Sequence, residues 1–196
     1  MGLIRLRWQL YSELGFEEIM RLKAYQICLA VFLCFATGAY ANDQGWFDTE
    51  FTPTTKMTDI SVHTQSRVWA TCAVAHDIAA VIESSEAPDS ASAQESQQLS
   101  NGARLASGIT FVVNAIGQDE ELTPQKFAAT WNLAKLAMES NYETIGTSIN
   151  AKLEMDASAT LADFYPTYSR CLALRELQQE YVNIWRELYG SGLLTN

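Results

Sequence analysis

From Thr58 onward, apolar side chains recur at steps of three and four, the spacing that gathers them on one face of a helix. Val68, Cys72, Ala75, Ala79 and Ile82 form one stripe, flanked by Trp69, Ala73, His76 and Ala80; they predict a first helix over about 59–85, capped by Thr58 or Asp59. Leu99, Ala103, Ala106, Ile109, Val113 and Ile116 predict a second over about 93–116, with Gly117 placed to end it in a left-handed conformation. The run Ile109-Thr110-Phe111-Val112-Val113 would also suit a buried strand, but no second strand of comparable quality exists to pair with it. Thr123-Pro124 marks a third start, because threonine caps and proline at the first helical position loses no bond the helix would have made. Phe127, Trp131, Ala134, Met138, Ile145, Ile149 and Leu153 continue that stripe, with Gly146 as a point of breakage. A fourth helix is expected from about Ala157 to just before Gly190, turning Leu161, Phe164, Tyr168, Cys171, Leu174, Leu177, Tyr181, Trp185 and Leu188 inward and Glu176 and Glu180 outward. Pro166 should kink or restart it. The polar stretch 84–98, with Pro88 and repeated serines, reads as a loop.

Four amphipathic segments cannot each bury a stripe alone, so the expected fold is all-α, an antiparallel four-helix bundle. The helical domain, residues 58–196, follows an extended arm, residues 42–57, in which Gly45, Pro53 and several threonines disfavour a helix. The arm's Trp46, Phe47 and Phe51 are expected to tuck against the domain; a lid or partner-binding strand is the sharper alternative.

Upstream, Ile27 to Thr37 is uncharged and apolar, preceded by Arg21 and Lys23 and followed by Gly38-Ala39-Tyr40-Ala41. That order is the order of a secretory signal, with cleavage expected between Ala41 and Asn42. Residues 1–41 therefore read as a leader, and Met20 is a better start than Met1 because Glu13, Glu17 and Glu18 place acid where a leader is basic. An uncleaved anchor over 24–41 is the rival, since the stretch is just long enough to span a bilayer. After cleavage no membrane span is expected, and the location is periplasmic or secreted.

The chain carries 13 basic and 23 acidic residues; removing residues 1–41 takes away four and three of them, leaving a formal charge of −11. So acidic a surface repels nucleic-acid phosphate and anionic lipid, and the expected partner is another protein, a basic one being the natural match. Two cysteines remain, Cys72 and Cys171, the number that makes one bridge in an oxidising compartment with none left over. A loop of 99 residues closed this way is stabilised by about 4.7 kcal/mol in the chain-entropy description.

Catalytic patterns are sparse. His63 and His76 would point about 140° apart on one helix, so they do not pair to hold zinc. Neither has a glutamate three residues before it, which the carboxylate-bridged metal bundles require. Haem held by His76 with Met138 facing it is a weaker reading, without a Cys-x-x-Cys-His for attachment. Gly-x-Ser-x-Gly and phosphate-loop patterns are missing. Glu139 and Glu143, one turn apart, fit a solvated face, and Asp119-Glu120-Glu121 complements the positive end of the third helix. No catalytic, cofactor or metal residue is assigned, and the chain is not expected to be an enzyme. The first functional expectation is an envelope protein that binds another protein. The alternative is a small-molecule or lipid carrier with an apolar groove between helices, lined by Trp69, Phe164 and Tyr168.

Overall fold

A computed structural model of the chain describes residues 45–87, 90–118 and 123–193; the expected cleavage point, Ala41–Asn42, lies outside them. A 3-10 turn, Met57–Asp59, is followed by α1 Val62–Glu86, α2 Ala91–Gln118, α3 Pro124–Met155, α4 Ala157–Ala173 and α5 Arg175–Gly190. Among the described residues there is no strand, so the domain is all-α and residues 109–113 lie within α2.

Local chemistry sets the helix starts. Thr58 and Asp59 belong to the 3-10 turn, so the cap of α1 passes to Ser61, whose hydroxyl accepts from the Thr64 N–H at 3.1 Å. Thr123 caps α3 through the Lys126 N–H at 3.3 Å, with Pro124 first in the helix as expected. Asp156 serves two helices: its N–H closes α3 on the Lys152 carbonyl, and its carboxylate caps α4 through the Ala159 N–H at 3.0 Å.

Helix interruptions fall where tertiary contacts demand them. Gly117 stays inside α2, and Gly146 stays inside α3 packed near Val74. Most of 84–98 is helical rather than loop, split between the end of α1 and the start of α2. The fourth helix is two. Pro166 sits within α4 without ending it, since a missing proline N–H removes one rung only, and the break comes at Leu174. On one side of that break Cys171 is tied to α1, and on the other Gln178 is tied to α2, so the chain changes neighbours there.

α1 lies at the centre. All nine residues from Val68 to His76 are buried, which an ordinary surface helix with a solvent face does not permit. α2 packs along much of its length, and α3 and α4 cover other sides. Small residues make the close approach possible: the Ser107 hydroxyl donates to the Ser66 carbonyl at 2.9 Å, the two hydroxyls meet at 2.8 Å, and Asn141 of α3 donates to Ser66 Oγ at 2.9 Å. Ser66 lies opposite Ser107 and Asp77 opposite Gln97, so α1 and α2 run in opposite directions. A second core group, Ile109, Val112, Phe127, Trp131 and Ala134, forms between α2 and α3 and is flanked by Trp185 and Leu188 of α5.

The arm is fastened, with Phe47 and Phe51 buried and Trp46 half-buried against the domain. The Trp46 indole donates to the Thr160 carbonyl at 3.3 Å. Arg170 donates through Nη2 to the carbonyls of Phe51 and Thr52 at 3.0 and 2.6 Å, while its guanidinium lies over both phenylalanine rings at 4.6 and 4.3 Å. Gly45 adopts φ +60°, and a side chain there would collide with Thr167.

Candidate functional site

Cys72 and Cys171 meet in a disulfide whose Cα atoms are 5.3 Å apart, joining α1 to α4 across 99 residues. Both are buried. The three residues expected to line a groove belong to one core group but not to one surface. Trp69 is wholly buried, edge-on to Tyr181 of α5 at 5.6 Å. Phe164 stacks on Tyr168 at 5.5 Å, and Tyr168 in turn meets the His76 ring at 5.3 Å. Around Phe164 stand Trp46 of the arm and the exposed Tyr165, so this aromatic group seats the arm on α4.

Polar groups that periodicity does not announce lie at the edge of the core and inside it. Asp77 accepts from the Tyr142 hydroxyl and from Gln97 Nε2, the latter at 3.0 Å, and Arg104 lies over the Tyr142 ring at 3.7 Å. Burial, and secondarily the Asp77 carboxylate, push the Tyr142 phenol well above its ordinary value. His76 is completely buried, and neither ring nitrogen has a hydrogen-bond partner. Burial pulls its pKa down to about 4; nearby Asp77 opposes this and Arg175 reinforces it, so the ring is neutral at pH 7. His63, by contrast, is exposed and sits edge-on to Phe111 at 5.3 Å. Met138 lies against the Trp131 end of the α2–α3 contact, beside Gly108.

The outer face of α3 is the most unusual surface. Leu133 and Leu136 are 69% and 64% exposed, one turn apart on a helix whose opposite side buries Phe127, Trp131 and Ala134. Ala129, Ser140, Thr144 and Thr147, all exposed, fall with the two leucines inside about a third of the circumference. Glu139 and Glu143 are exposed beside this strip, and between Lys135 and Lys152 the chain has no basic residue. Lys135 itself inclines toward the Trp131 ring, 5.8 Å from its centre. Reading only the inward stripe overlooks these leucines; projecting every apolar residue of α3 on a wheel would have shown two on the wrong side.

Among the described residues no three His, Cys, Asp or Glu side chains come together as metal ligands would, and no helix is long and apolar enough to cross a membrane. Comparison with models of known families, with curated proteins and with solved structures found no match.

Proposed function

We propose that this is an exported protein of the periplasm or the extracellular space that binds an amphipathic helix of a basic partner protein on the outer face of α3. The observation that carries this reading is the pair Leu133 and Leu136, solvent-facing on the longest described helix of an acidic chain, with the exposed Glu139 and Glu143 beside them. Apolar side chains two-thirds exposed contribute nothing to the fold of the free domain; covering both would contribute about 2–4 kcal/mol to a complex. Glu139 and Glu143 supply the flanking charge that selects a basic partner and orients it. Export is supported by the uncharged run 27–37 before the small residues ending at Ala41, and by the cysteine pair. The scaffold is read as an antiparallel bundle in which α4 and α5 share the fourth place.

The test is retention of a partner from an envelope extract on the immobilised domain, followed by binding of that purified partner to wild type and to a Leu133→Lys/Leu136→Lys variant. A drop in affinity of about thirtyfold or more in the variant, with unchanged circular dichroism, supports the reading. Equal binding by both proteins contradicts it, as does a wild-type homodimer that the variant dissolves, because a second copy would then occupy the face. The alternative, a lipid or small-molecule carrier using the Phe164–Tyr168 region, is favoured if the purified domain retains a lipid and no protein.

A further inference from the structure

The outer face of α3 does not end with its two leucines. Met155, the last residue of the helix, is 80% exposed, and at 3.6 residues per turn it falls on the same third of the circumference as Leu133 and Leu136. It lies 22 residues beyond Leu133, about 33 Å along the helix at 1.5 Å per residue. Between Leu136 and Ala151 the exposed side chains on this face are small: Ser140, Thr144, Thr147 and Ser148. From Ala129 to Ala151 no charged residue falls on it. Charge borders it along one edge only, where Glu139 and Glu143 are exposed.

A surface of this shape selects the form of what covers it. An extended segment laid on a helix leaves its facing N–H and C=O groups unpaired, because the helix backbone is already bonded to itself; a covering helix brings no such groups. Small side chains let two helix axes approach toward the lower end of the usual 8–10 Å, whereas bulky ones hold them apart unless the partner is small opposite them. Serine and threonine hydroxyls on a helix can return their bond to the carbonyl four residues earlier, so covering them strands no donor. Resting on the reading of this face as a partner-binding one, we infer that the partner contributes one unbroken helix of about six turns, lying along α3 from Leu133 to Met155. That helix carries large apolar side chains in its middle, small ones at its two ends, and lysine or arginine on the edge that meets Glu139 and Glu143. A helix of two turns would cover the leucines and leave Met155 in water. The opposite charge is the partner's to supply: Lys135, the nearest lysine before those carboxylates, inclines toward the Trp131 ring, and the next basic residue of the chain is Lys152.

Labelled synthetic peptides test this on the purified protein: one of about 24 residues built to the pattern, and its half of about 12 residues that meets only Leu133 and Leu136. The long peptide should bind about tenfold or more tighter than the half. Met155→Lys and Thr144→Trp, both at exposed positions and checked by circular dichroism, should each weaken the long peptide by about tenfold, and Met155→Lys should leave the half unaffected. Moving the lysines of the long peptide to its outward face should weaken it against wild type and not against Glu139→Gln/Glu143→Gln; equal binding of the two arrangements by wild type counts against the charged edge. A long peptide that is bound no tighter than its half and ignores both substitutions, yet is lost with Leu133→Lys/Leu136→Lys, overturns this inference and leaves the partner-binding face standing. A long peptide that wild type does not bind, or that the leucine variant binds equally, overturns both.

Discussion

Acidification should weaken the domain through His76 before its carboxylates are protonated in bulk. The imidazole is completely buried at the junction of α1 with α4, with Asp77 and Arg175 the charged groups nearest it and the Tyr168 ring against it. Its pKa falls from 6.5 in the unfolded chain to about 4 in the folded one, so between those values the unfolded state holds the extra proton. Stability from this group is therefore complete above pH 6.5, declines by about 1.4 kcal/mol per pH unit below it, and levels off below the folded value. The total loss is about 3 kcal/mol, a large part of the roughly 5–15 kcal/mol expected of a domain. Urea unfolding followed by tryptophan fluorescence from pH 7.5 to 4, on wild type and on His76→Leu, measures it. Subtracting the variant removes other titrations, including Asp163, whose carboxyl burial holds above its ordinary value and whose effect has the opposite sign. Parallel pH profiles for the two proteins would refute the reasoning.

Other consequences follow from single contacts. Replacing Cys72 and Cys171 together with alanine should cost about 2–5 kcal/mol, read as a lower urea midpoint, and wild type should gain two hydrogens in mass only when reduced after unfolding, because both sulfurs are buried. Arg170→Leu removes the two charge-assisted bonds to the Phe51 and Thr52 carbonyls and should let trypsin cut after the exposed Lys56 well before the domain unfolds; equal digestion rates would disprove the fastening role. Gly45→Ala places a side chain at φ +60° against Thr167 and should release the start of the arm at a cost of about 1–2 kcal/mol, seen as a change in Trp46 emission. Leu133→Lys and Leu136→Lys should each alter stability by less than about 0.5 kcal/mol, as exposed positions do, in calorimetry of the free domain.

Much of the architecture is legible along the chain because capping and periodicity are local. Thr123-Pro124 begins α3, α4 begins at Ala157, and the pairing of Cys72 with Cys171 is the one that two cysteines after residue 41 allow. What is illegible is set from a distance. A lone glycine costs a helix about 1 kcal/mol, less than continued packing contributes, so Gly146, near Val74, does not end α3, while Gly117 is the next-to-last residue of α2 and lacks the left-handed conformation expected of it. The break at Leu174 has no breaker residue; it comes from Cys171 being held by α1 while Gln178 is held by α2. The central position of α1 is hidden by its alanines, which look like the flank of an amphipathic helix until neighbours close on every side. That His76, Ser100 and Gln178 are buried despite their polarity is set by the helices packed around them, which no spacing rule announces. Leu133 and Leu136 were readable but off the inward stripe, where an apolar residue has no structural use.

The proposal of a partner-binding face is tested most directly by photocrosslinking. A photoreactive amino acid at Leu133, and separately at the exposed Gln179 of α5 as a control, is activated in cells that make the protein. One discrete adduct with a basic protein, formed from position 133 and not from 179, is the expected result. Matching adduct patterns at the two positions, or none at 133, would contradict the account.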